Sequence, residues 1–140
     1  MKVLNYYRYS EHISLSGLPS PEDFQEIKNE GFEIVISLCM PSDSIRLENE
    51  GAILTELGLI YIHIPVDFEA PKLKDYELFE SLLDTFKGKK LWIHCAKNYR
   101  VSAFMYLYAG AYHDKTLLEK YWTPNETWQK FISMRKKYSK

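Results

Sequence analysis

Strand-forming runs separated by helical segments along the whole chain predict an α/β protein, a three-layer sandwich whose mainly parallel central sheet is flanked by helices. Two observations carry this reading. Residues 32–39 (FEIVISLC) and 59–66 (LIYIHIPV) are almost continuously apolar, the pattern of strands covered on both faces. Around them lie stretches with helical start signals, glycine stops or one apolar face. At 140 residues, 46% of them hydrophobic and 15% aromatic, the chain can fill one core as a single domain, 1–140, with no need of a metal or a disulfide.

Taken in order, Tyr7, Tyr9, Ile13 and Leu15 alternate with polar neighbours, which predicts one or two short strands in residues 5–16, closed by Gly17. Ser20 is a good N-cap, Pro21 a good first helical residue, and Glu22 and Asp23 complement the helix dipole; Phe24, Ile27 and Lys28 continue the helix until Gly31. Strand 32–39 then puts Cys39 at its carboxyl end. Residues 41–44 read as a turn, and 45–57 as a helix interrupted near Gly51 and stopped by Gly58. After strand 59–66 the loop DFEAPKLKD leads into a helix over 75–86, with Tyr76, Phe79, Leu82, Leu83 and Phe86 on one face. Residues 91–94 read as the central strand, and 101–112 as a helix apolar nearly all round and therefore buried. A last helical pair, 115–121 and 125–137, is split by Pro124. The carboxyl ends of the parallel strands are where a site is expected.

The stretch that the rest serves is KKLWIHCAKNYRVSAF, residues 89–104. A strand running through a tight loop into a helix points backbone N–H groups into one concavity, at the positive end of the helix dipole, and so traps anions. Cys95 is expected inside that concavity. The amides, Arg100 and Lys97 would stabilise negative charge on its sulfur and make it a nucleophile. Arg100 supplies a fork of two charged hydrogen bonds, the best side-chain grip on a tetrahedral oxyanion. Ala96, Lys97, Asn98, Tyr99 and Ser102 complete the candidate substrate-binding set. The plain alternative is a buried core thiol at Cys95 and a surface charge at Arg100.

His94, Cys95, Arg100 and Ser102 resemble the signature of the cysteine-dependent phosphatases of the tyrosine and dual-specificity group: His-Cys, five residues, Arg, then Ser or Thr. Here only Ala96, Lys97, Asn98 and Tyr99 separate cysteine from arginine, so the loop is one residue short, while Ser102 keeps the signature's spacing from the cysteine. This shorter interval is also the loop length of rhodanese-type sulfurtransferases, whose smaller cradle suits a persulfide sulfur. Both families usually place glycine where Asn98 stands, and asparagine is the next best residue for a left-handed turn. From residue 16 to 109 the order SGLPS, helix, FEIVISL, LIYIHIPVDFEAP, helix, HCAKNYRVSAF is similar to the bacterial phosphatase-like domain family associated with beta-lactamase-like hydrolases. Some of those domains are linked to sulfur metabolism.

The resemblance implies a dual-specificity phosphatase-like fold and a phosphoester hydrolase. Cys95 would attack phosphorus, Arg100 and the loop amides would bind the equatorial oxygens, and Asp67 of VDFEAP would protonate the leaving group. Ser102 would assist loss of the phosphocysteine, and His94 would orient the loop. Glu69 is the reserve acid, and a simple turn former is the plain alternative for Asp67. Two other functions stay open: a sulfurtransferase carrying persulfide on Cys95, and a catalytically weak anion-binding module.

The formal charge of -1, with both signs interspersed, gives no field to gather nucleic acid or an anionic membrane. No apolar run reaches the roughly 20 residues that span a bilayer. The expected partner is a small anion or a phosphorylated substrate. Lys130, Arg135, Lys136, Lys137 and Lys140 crowd the final segment as a solvated helix end rather than a nucleic-acid patch. His63 reads as a core or surface histidine, His12 and His113 lack partners at metal spacing, and no metal or cofactor is expected. Two cysteines are too few for a secreted disulfide framework, and no apolar run follows Met1 and Lys2, so a reducing cytoplasm is the expected compartment. Inert packing is the plainer reading of Cys39, although a strand beside that of Cys95 would let the two pair under oxidation.

Overall fold

The computed structural model describes residues 1–110 and 115–137. Its sheet begins with β1 (Tyr7–Arg8) and β2 (Ile13–Ser16), an antiparallel pair joined by a turn in which Ser10 Oγ accepts the backbone N–H groups of His12 and Ile13. With β3 (Ile34–Ser37), β4 (Ile60–His63) and β5 (Leu91–His94) it makes five strands in the order β1-β2-β5-β3-β4, parallel except for the first pair. β5 takes the centre and all of it is buried, as its apolar run leads one to expect. β4 is an edge strand and departs from the expectation of burial on both faces: Ile60 is 56% exposed.

The helices among the described residues are α1 (Pro21–Asn29), α2 (Glu50–Glu56), α3 (Leu73–Thr85), α4 (Tyr99–Tyr108), α5 (Thr116–Glu119) and α6 (Glu126–Lys137). α1 starts as its sequence requires: Ser20 Oγ accepts the Asp23 N–H and the Asp23 carboxylate accepts the Ser20 N–H. Several expected boundaries shift by a few residues, and two of the shifts bear on the site. α2 begins at residue 50 rather than 45, because Arg46 turns back to donate to the Asp43 carbonyl and Glu50 N–H closes a turn on Leu47. α4 begins at Tyr99 rather than Val101, so Arg100 belongs to its first turn; residues 111 and 112 of the expected helix lie outside the described residues.

Period-two alternation along the strands sorts the side chains into two cores. Leu15, Ile34, Ile36, Leu91 and Ile93 face α3, α4 and α6, whereas Val35 and Trp92 face α1 and α2 through Phe24, Ile27 and Leu54. The result is the three-layer α/β arrangement that the alternating pattern implied. Trp92 is fully buried, stacks 5.5 Å from Tyr6, and donates its indole N–H to Ser16 Oγ at 2.8 Å. Burying a side chain of this size contributes about 1.5–3 kcal/mol. No helix among the described residues is long and apolar enough to cross a membrane.

Candidate active site

Parallel pairing brings the segments that leave β2, β3, β4 and β5 to one edge of the sheet, and the loop after β5 is fastened there by main-chain contacts. Leu18 N–H donates to the Ala96 carbonyl at 3.0 Å, and Asn5 and Asn98 exchange side-chain bonds across the loop, Asn5 to the Lys97 carbonyl and Asn98 to the Asn5 carbonyl. Gly17 permits this approach, since a Cβ there would lie 2.7 Å from the Ala96 oxygen. Asn98 adopts the left-handed conformation its place in the loop demands, φ 67° and ψ 13°, and turns the chain directly into α4. Its side chain does not cap the helix, so the first-turn amides of α4 stay available to an anion.

Cys95, Ala96, Lys97, Tyr99 and Arg100 line a cleft of about 240 Å³ together with Asp43, Ser44, Ile45 and Phe68. Cys95 is 1% exposed. Arg100 is 4% exposed and fixed at two points: Nη1 donates to the Val66 carbonyl at 2.8 Å and Nη2 to Asp43 Oδ2 at 2.7 Å. Burial works against its charge, but the neighbouring Cys95 sulfur and the Asp43 carboxylate more than offset this and its pKa is raised. Tyr99 stacks on Trp122 with ring centroids 5.0 Å apart, and Phe68 lies against Trp122 and Trp128, which makes one side of the cleft a rigid aromatic wall.

The other sequence-selected residues stand around the cleft. Ser102 is fully buried beneath the loop, donating to Asn98 Oδ1 at 3.2 Å. His94 backs the loop: Nδ1 is 3.2 Å from the Cys95 carbonyl and Nε2 is 2.6 Å from Glu50 Oε2. Both neighbours are acceptors, so both ring nitrogens donate and the ring is an imidazolium. Burial alone would lower its pKa, yet hydrogen bonds to Cys39 and Glu50, and their charges, push it up to about 10. Asp67 is half-buried in the turn that carries Phe68 to the cleft; its Oδ1 accepts the Glu69 N–H at 2.9 Å. Asp67 and Glu69 do not line the cleft among the described residues.

Sequence reasoning missed Asp43 and Glu50. A signal for Asp43 existed, since PSDS is a polar turn leaving a strand at the same sheet edge as Cys95. Glu50 gave none: a single glutamate opening a helix is ordinary dipole complementation, and nothing local says it meets a buried ring.

No family model matches the sequence, and no curated protein does. Among solved structures the chain is similar to a candidate phosphatase of family DUF442 from Shewanella putrefaciens CN-32, at 31% identity, covering 98% of this chain and 94% of that one with a TM-score of 0.90. The chain belongs to the DUF442 family. This DUF442 chain also shares its fold with PTPMT1 in complex with PI(5)P, at 14% identity over 95% of both chains and a TM-score of 0.73. A third similar structure is P. aeruginosa TpbA in complex with pTyr, at 20% identity over 84% of this chain and 72% of that one, TM-score 0.65. The DUF442 chain thus has the fold of the cysteine-dependent tyrosine and dual-specificity phosphatases.

Proposed function

We propose that the protein is a cysteine-dependent phosphoester hydrolase. The observation that carries the reading is the convergence of the Cys95 sulfur and the Arg100 guanidinium on one cleft, at the amino end of α4. A phosphate seated there meets the first-turn amides and the remaining N–H donors of Arg100, and its phosphorus faces the sulfur. Cys95 attacks, the bond to the leaving oxygen breaks, and Asp67, entering from the turn beside Phe68, protonates that oxygen. Water then releases phosphate from the phosphocysteine, helped by Ser102 through Asn98 and the loop. Ala96, Lys97 and Tyr99 complete the substrate-binding set, with Asn98 shaping the loop from beneath. His94 holds the Cys95 carbonyl and keeps the loop in register.

Asp43 is ion-paired with Arg100, so its place is to orient the guanidinium rather than to give up a proton. The substrate is a phosphorylated or otherwise anionic molecule, in line with pTyr and PI(5)P bound by two proteins of the same fold. A single domain in a reducing compartment suits a free thiol nucleophile. The short loop favours a second reading, persulfide transfer on Cys95. One assay separates the two: phosphate release from an aryl phosphate against thiocyanate formation from thiosulfate and cyanide, for the natural chain and Cys95→Ser. The expected result is phosphate release that falls roughly a thousandfold or more in the variant. Release that survives the substitution contradicts the proposal, and Cys95-dependent thiocyanate alone supports sulfur transfer.

A further inference from the structure

The cleft of Cys95 has unlike walls. In the strand order β5 lies between β2 and β3, so the loop after β5 has β2 on one side and the segments leaving β3 and β4 on the other. Toward β2 stands Lys97, an exposed residue whose main chain is tied down by a bridge to Gly17 and by Asn5 Nδ2, which donates to its carbonyl at 2.9 Å. The opposite side is apolar: Ile45, 37% exposed, and Phe68 enter from the segments leaving β3 and β4. The charges at the cleft are unequally committed. Asp43 is paired with Arg100 at 2.7 Å, and a phosphoryl group takes the remaining Arg100 donors and the first-turn amides of α4. The Lys97 ammonium enters no ion pair among the described residues. One positive charge at the cleft is therefore left for a group other than the phosphoryl.

Resting on the phosphoester reading of this site, we propose that the ligand of the cleft is a compact phosphomonoester with an apolar body and a second anionic group, and that Lys97 holds the second group. The size follows from the cleft, whose volume of about 240 Å³ lies below the roughly 300–1,000 Å³ of sites for drug-sized molecules. The apolar body follows from Ile45 and Phe68, which it removes from water. The second charge follows from Lys97, and the two cations divide the work by their chemistry. Arg100 is fixed at two points and offers a rigid fork to one tetrahedral anion, whereas an ammonium on a flexible four-carbon arm is a point charge that can follow an acid group to where the ligand places it. An ion pair at an exposed position is modest and screened by salt, so Lys97 chooses among phosphoesters and leaves the grip on phosphorus to Arg100 and the amides.

The test is calorimetric binding of two non-hydrolysable probes, phenylphosphonate and meta-carboxyphenylphosphonate, to the full natural chain, Lys97→Met and Lys97→Glu. The natural chain is expected to bind the carboxylated probe about five- to tenfold more tightly, Lys97→Met to bind the two alike, and Lys97→Glu to reverse the order. Equal binding of the two probes by the natural chain, a preference that survives in Lys97→Met, or no binding of either probe overturns the proposal. Salt supplies a second measurement that needs no variant: the preference of the natural chain is expected to vanish toward about 1 M salt, where screening acts within about 3 Å, and a preference that salt leaves unchanged overturns the ion pair. Failure of the hydrolase reading looks different. It is the absence of phosphate release from the two corresponding phosphate esters, and with the phosphonate preference intact that result upholds the role of Lys97 while removing catalysis.

Discussion

A guanidinium has more N–H donors than Arg100 uses on Val66 and Asp43, and the donors left over are the ones an oxyanion can take. The two protein contacts therefore aim the fork rather than consume it. Replacing Asp43 by alanine frees one end of the guanidinium, and a shift on the ångström scale in a positioning group is worth roughly a hundredfold in rate. kcat/KM for an aryl phosphate is expected to fall by that amount in Asp43→Ala and much less in Asp43→Asn, which keeps a hydrogen bond. Asp67→Asn acts differently: it spares substrates with good leaving groups and costs roughly a hundredfold or more on alkyl phosphates, with loss of the alkaline limb of the pH profile. An equal loss on both substrate types contradicts an acid role for Asp67. At this scale His94, Cys95 and Arg100 could be singled out because they lie in one short stretch of the chain. Asp43 and Glu50 were not, because the partner of a buried ring or guanidinium is chosen by how loops from different strands meet.

Between elements, the Glu50–His94 pair ties the start of α2 to the end of β5. The folded pKa of His94, about 10, lies above its ordinary 6.5, so protonation favours the folded state. Its contribution is complete below pH 6.5 and is lost as pH rises toward 10. Thermal midpoints are expected to fall across that window, and Glu50→Gln to flatten the fall. Glu50→Ala leaves a buried charge without its partner and is expected to cost about 3–5 kcal/mol in denaturant unfolding. A midpoint independent of pH in the natural chain contradicts the assignment. Element types were readable from periodicity, and so was the capped start of α1, but the starts of α2 and α4 were not. α2 loses its first expected turn to contacts of Arg46 and Leu47, and α4 gains residues because a left-handed Asn98 lets the helix begin at once.

Across the whole molecule the class of fold followed from near-continuous apolar strands alternating with helices, and the chain order alone forced the strand ends to a common edge. What the pattern did not give was position within the sheet. β3, β4 and β5 read alike, yet β4 lies at the edge and half open because the crossovers place it there. The larger core is organised on Phe104, fully buried among Tyr76, Phe79, Trp128 and Phe131 with ring centroids 5.3–6.2 Å away. Phe104→Ala is expected to cost about 3–5 kcal/mol, read as a lower urea midpoint. A loss below about 1 kcal/mol contradicts that picture of the core, since it is within the range of conservative repacking.

The central claim is that the sulfur at residue 95 and the guanidinium at residue 100 work on phosphorus. Rapid acid quench of the Asp67→Asn chain mixed with an aryl phosphate, followed by intact-mass and peptide analysis, tests it most directly. The account predicts one phosphoryl group on Cys95, absent when Arg100 is replaced by alanine. An unmodified Cys95 under turnover, or a sulfur atom gained from thiosulfate with no phosphoryl group gained from the ester, contradicts it.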